Sequence, residues 1–78
     1  MKIYGLDKKG NKLSYDVIMT FKGSNDYVIY TDNSVDDNNN LKIFSAIYDP
    51  KTELLMREPS SEKELQEIKE ALKTVFNG

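Results

Sequence analysis

The chain has 78 residues, 38% of them hydrophobic, and a net charge of −2. That length makes one domain with a thin core, burying roughly 60–65% of the surface its unfolded form exposes. It contains neither Cys nor His. Their lack excludes disulfide frameworks, thiolate zinc sites, Cys nucleophiles and an imidazole base, and the charge supplies no overall basic field for nucleic acid or an anionic membrane.

Residues 2–6 (Lys-Ile-Tyr-Gly-Leu) read as a first strand, and Asp7 to Asn11 as a turn in which Gly10 and Asn11 tolerate positive φ. Lys12 to Lys22 carries the strongest strand signal. Leu13, Tyr15, Val17, Met19 and Phe21 alternate with Ser14, Asp16, Ile18 and Thr20, a period of two with one apolar face. Gly23-Ser24-Asn25-Asp26 turns the chain into a third strand, Tyr27 to Thr31, apolar on both faces and therefore placed near the sheet centre. Asp32 to Asn40 is polar, Asn-rich and read as a mobile loop. Leu41 to Tyr48 forms a fourth strand, Asp49 to Thr52 a turn, and Glu53 to Arg57 a short fifth strand at an edge.

The rhythm changes at Pro59. Ser61 caps a helix and Glu64, three residues on, returns a bond to the cap. Leu65, Ile68, Leu72, Val75 and Phe76 share one stripe, with Ala71 at its margin, and Asn77-Gly78 is a stop signal. The expected architecture is α+β and a single domain, 1–78. An antiparallel, meander-like sheet of four to five strands (2–57) carries one C-terminal helix (61–76) on one face. Truncation at Ser60 removes the only cover for that face and is expected to unfold the sheet.

The order strand, Asp7-x-x-Gly10-Asn11, long strand into Met19-Thr20-Phe21, then Tyr27-Val28-Ile29-Tyr30, Ile47-Tyr48-Asp49, Leu54-Leu55-Met56 and an acid-led helix resembles the small bacterial proteins of domain of unknown function family 1292. The resemblance covers nearly the whole chain. It implies a small cytoplasmic protein and carries over no activity, cofactor or catalytic residue. Members of that family are markedly acidic, whereas this chain has an Asn-rich 32–40 loop and Lys8, Lys9, Lys12 and Lys22 in its first half.

Few residues are left for chemistry. Asp32, Ser34, Asp36, Asn38 and Asn40 alternate as in a calcium loop, but Asp37 stands where a Gly is needed and Ile43 where a bidentate Glu is needed. Asp16 is the only acid in mid-strand and is expected to be exposed or paired with a cross-strand Lys. Ser14, Ser45, Ser60 and Ser61 have no His to activate them. The expectation is a protein that is not an enzyme and needs no cofactor or metal.

Two surfaces remain. Tyr30, Phe44 and Tyr48 lie on a second sheet face that one helix cannot cover. Either that face is a protein-binding surface, or the sheet curls on itself or the 32–40 loop folds over it. Lys8, Lys9 and Lys12, near strand tyrosines, form the alternative, a weak single-stranded nucleic-acid surface. The leading expectation is a non-catalytic protein-binding or regulatory module with a protein partner, using the Tyr/Phe face or the edge of the fifth strand. A weak homodimer is a further way to cover a thin core. No apolar run reaches signal-peptide length or the roughly 18 residues of a membrane span, so the expected location is the cytoplasm.

Overall fold

The computed structural model describes residues 1–76, with side chains through Thr74. It comprises β1 (Lys2–Leu6), β2 (Lys12–Lys22), β3 (Asp26–Thr31), β4 (Phe44–Asp49), β5 (Leu54–Arg57) and α1 (Glu62–Phe76). The fold is α+β, and none of its helices is long and apolar enough to cross a membrane among the described residues. The stop signal at Asn77-Gly78 and the side chains of Val75 and Phe76 lie outside the described residues.

The sheet is a closed barrel in sequence order, which corrects the expected open meander. Four seams are antiparallel. An odd number of up-and-down strands leaves the first and last running the same way, so the closing seam between β1 and β5 is parallel. It is pinned at Tyr4 opposite Leu54, where the Tyr4 N–H donates to the Glu53 carbonyl at 2.9 Å. Glu53 holds φ at 62°, aiming that carbonyl at β1. The expected edge at β5, offered as a contact surface, is thus occupied by β1.

Two register shifts make closure possible. Val17 faces Tyr30 and Met19 faces Ile29, so Ile18 is an extra residue in β2. Arg57 faces Ile47 and Leu55 faces Tyr48, so Met56 is an extra residue in β5. Bulges sharpen local twist and coil a sheet toward closure. The bulge at Ile18 also reverses which side the later residues of β2 face. Tyr15 and Val17 join Ile3, Val28, Ala46, Tyr48 and Leu55 inside the barrel. Met19 and Phe21 join Tyr27, Ile29 and Ile47 on the outside, beneath Ile68 and Leu72 of α1. The single apolar face expected for β2 is therefore divided between two cores. β3 supplies both, as its two apolar faces foretell, and Tyr27, Val28 and Ile29 are each at most 1% exposed.

The segment before β4 departs from expectation as well. Leu41 bridges Val35, and the Lys42 N–H donates to the Ser34 carbonyl, so these residues close a small hairpin and β4 starts only at Phe44. The Asn-rich composition is turn chemistry. Asn33 and Asn39 hold φ near 65°, a conformation Asn tolerates. The Asp32 carboxylate accepts the Ser34 N–H, and the Asp36 carboxylate accepts those of Asn38 and Asn40.

Deleting Ile18 turns Met19 and Phe21 toward the barrel interior and is expected to abolish cooperative unfolding. Ile18→Ala keeps the residue count and is expected to cost about 1 kcal/mol or less, since Ile18 is partly exposed. Thermal melts followed by circular dichroism distinguish the two.

Candidate functional site

One mouth of the barrel carries a row of aromatic rings. Tyr15, Tyr30 and Phe44 come from adjacent strands and lie on the inward side. Tyr30 is paired with Phe44 in register. The Tyr15 and Tyr30 ring centroids are 5.0 Å apart, and those of Tyr30 and Phe44 are 5.5 Å apart. Both spacings fall within the range of favourable tilted and offset aromatic pairs. Phe44 is 39% exposed, and the half-buried Tyr30 packs against the inner core. Burial, and then the nearby Tyr15, Glu58 and Asp32, push the Tyr30 phenol above its ordinary pKa. Neither the Tyr15 nor the Tyr30 hydroxyl is hydrogen-bonded among the described residues, and neither is sealed from solvent.

The row is open because β1 and β5 part beyond Tyr4 and Leu54. A cleft of about 240 Å³ lies between Gly5 and Leu6 on one side and Leu55 and Met56 on the other, over Tyr15 and Tyr30. A second cleft, about 290 Å³, continues past Phe44 between Ile43, Pro59 and Leu65. Tyr30 and Glu58 line both. Ile43 and Leu65 are 42% and 52% exposed, so the apolar surface extends past the rings. Leu65, expected on the buried stripe of α1, instead faces this groove. The larger depression over Glu62, Lys63 and Lys69 is lined by α1 alone and is open helix surface.

A polar clamp fixes α1 relative to the cleft. Ser61 Oγ accepts the Glu64 N–H at 3.1 Å, and the Glu64 carboxylate accepts the Ser60 and Ser61 N–H groups, the capping box expected from sequence. The same carboxylate takes both Nη atoms of Arg57, at 3.1 and 2.7 Å, and Asn25 Nδ2 at 2.9 Å. One buried Glu thereby joins β5, the β2–β3 turn and the helix start. Arg57 first, and then the Ser60 amide, hold its carboxyl far below the usual carboxylate range. One turn on, Glu67 accepts the Ser24 N–H at 2.8 Å and the Tyr27 hydroxyl at 3.0 Å. A Cβ on Gly23 would meet the Glu67 carboxylate, so a larger residue there displaces that side chain from Ser24.

Tyr30 and Phe44, marked from the sequence, are brought together at this mouth. Tyr48 is a correction. It is only 8% exposed and points into the barrel with Ile3 and Val28, because closure turns the expected open face inward. Tyr15, Leu65 and Glu58 were not legible as site residues, since only the bulge and the barrel closure place them beside Tyr30. Lys8 and Lys9 sit exposed in the β1–β2 turn, and Lys12 Nζ lies 5.1 Å from the Tyr4 ring centroid on the outward face. The lysines and the aromatic row therefore occupy different sides of the sheet. Asp16 pairs with Lys2 across the strands, as expected, and also accepts Asn33 Nδ2 at 2.7 Å. Asn33 first, and then Lys2, lower its pKa. No group of three or more Asp or Glu able to hold a metal ion occurs among the described residues. Compared with known protein families, curated proteins and solved structures, the chain finds no match.

Because the Glu64 pKa is lower folded than unfolded, its carboxylate stabilises the fold above the ordinary value of 4.5, and that contribution fades as pH falls below it. Glu64→Gln is expected to be less stable than wild type at pH 7 and to lose less stability between pH 5 and about pH 2.5. Urea midpoints measured across that window check this.

Proposed function

We propose that this chain is a small, non-catalytic module of the cytoplasm that binds a segment of another protein in the cleft at the mouth of the barrel. The observation that carries the reading is the row Tyr15, Tyr30 and Phe44. It is continuous with exposed Ile43 and Leu65 and is left uncovered by a helix that packs on the opposite side of the sheet. Apolar surface gathered in one concave place is what a binding site needs and what a solvated face avoids. The Glu64 and Glu67 carboxylates are engaged by donors from neighbouring elements and serve the fold.

The competing reading places single-stranded nucleic acid on Lys8, Lys9 and Lys12. Less supports it, because Lys12 already lies over Tyr4 and Asp7 and Asp16 share that hairpin. The two readings differ in salt dependence, steep for phosphate contacts and shallow for an apolar cleft.

Phe44→Ala is expected to cost only about 1–2 kcal/mol of stability, since the ring is partly exposed, and to release the protein captured from lysate by the tagged wild type. The Lys8→Glu, Lys9→Glu double variant is expected to retain that protein, with or without nuclease. A native pull-down read by mass spectrometry checks both. Loss with the lysine variant and retention with Phe44→Ala would reverse the assignment.

A further inference from the structure

Resting on the protein-binding reading above, we infer that the cleft takes an extended, proline-rich segment of the partner in the polyproline II conformation, with a Lys or Arg beside its prolines.

Spacing is the first reason. The ring centroids step 5.0 and then 5.5 Å along the row, so the outer two lie at most about 10.5 Å apart. A polyproline II segment has three residues per turn at about 3.1 Å each, so it returns a side chain to the same face about every 9 Å. Two prolines three residues apart therefore fit within the greatest span of the ring row. A bound helix, repeating its face about every 5.4 Å, also matches the 5.0 and 5.5 Å ring steps, but its carbonyls are bonded internally, so the unbonded Tyr15 and Tyr30 hydroxyls select an extended segment.

Hydrogen bonding is the second. A polyproline II segment makes no internal hydrogen bonds, so its carbonyls seek outside donors. The Tyr15 and Tyr30 hydroxyls, not bonded within the described residues, stand in the cleft as such donors. Rings that offer a flat apolar face and a polar tip suit a segment of apolar rings and bare carbonyls.

Charge is the third. Glu58 lines both parts of the cleft and has no ion-pair partner among the described residues. Arg57, the cation that lines the first part of the cleft beside it, has both Nη atoms bonded to Glu64, and its Nη1 also donates to the Glu58 carbonyl. The unpaired Glu58 carboxylate therefore sets the charge at the rim of the cleft. This acidic rim favours a cationic flank and repels the phosphates of a nucleic acid that would otherwise stack on the rings.

The test titrates the ¹⁵N-labelled full chain with a synthetic peptide of about eleven residues containing Pro-x-x-Pro and one flanking Arg. A second peptide replaces that Arg by Glu, and a short oligothymidylate serves as the third probe. The expected result is saturable shifts of the Gly5, Tyr15, Tyr30, Phe44 and Glu58 amides with the Arg peptide. The Glu peptide is expected to bind about two- to fivefold more weakly, the span of one exposed ion pair. Glu58→Lys, a change at the rim, is expected to reverse that preference. No saturable shift at millimolar peptide overturns the inference. So do shifts centred elsewhere, equal binding of the two peptides, or oligothymidylate binding at the same amides. If the peptides fail while Phe44→Ala still releases the captured protein, the proline-rich occupant is wrong and the protein-binding reading stands. If Phe44→Ala releases nothing either, both fall.

Discussion

The extra residue at Ile18 is the constraint on which the rest of the structure depends. A strand of 11 residues with strict alternation would offer one apolar face, enough to pack a flat sheet on a helix. With the bulge, the first half of β2 faces the barrel interior and the second half faces α1. One strand thus serves two small cores instead of one thin layer. For a chain of 78 residues this is an effective use of few apolar side chains, because both sides of β3 are shielded from water and the sheet leaves little free edge to be managed.

The proposed binding surface follows from the same arrangement. α1 is committed to the outer face by Ile68 and Leu72 and is locked there by Glu64 and Glu67. It therefore leaves uncovered the inward side at the mouth where Tyr15, Tyr30 and Phe44 line up, with Leu65 walling one end. β1 and β5 meet at a single register pair and then diverge, which leaves the rings accessible. A polar clamp of saturated carboxylates holds the walls of the cleft in place, so the proposed site is already formed without a partner. That lowers the entropic cost of association.

Much of the fold was legible in the sequence, and the misses share one cause. The bounds of β1 and β2, the apolar character of β3, and the Ser61–Glu64 cap depend on local chemistry and agree with the structure. Leu41 read as part of β4 because an apolar residue in alternation looks the same whether its partner is β3 or Val35. Tyr48 read as surface and β5 as an edge because closure depends on twist accumulated over five strands and on bulges at Ile18 and Met56, neither of which leaves a local mark. The site was half legible for the same reason. Tyr30 and Phe44 stand out as bulky groups on a face the helix does not reach, whereas Tyr15 joins them only after the sheet curls.

The division of β2 between two cores is most directly tested by a methyl NOESY spectrum of the native protein. Val17 methyls are expected to show cross-peaks to Val28 and the Tyr48 ring, and the Met19 methyl to Ile68 and Leu72, with no exchange of partners between the two sets. Cross-peaks from Val17 and Met19 to the same cluster would mean a strand without a bulge and a flat sheet. The barrel, its open mouth and the aromatic cleft would then all be contradicted together.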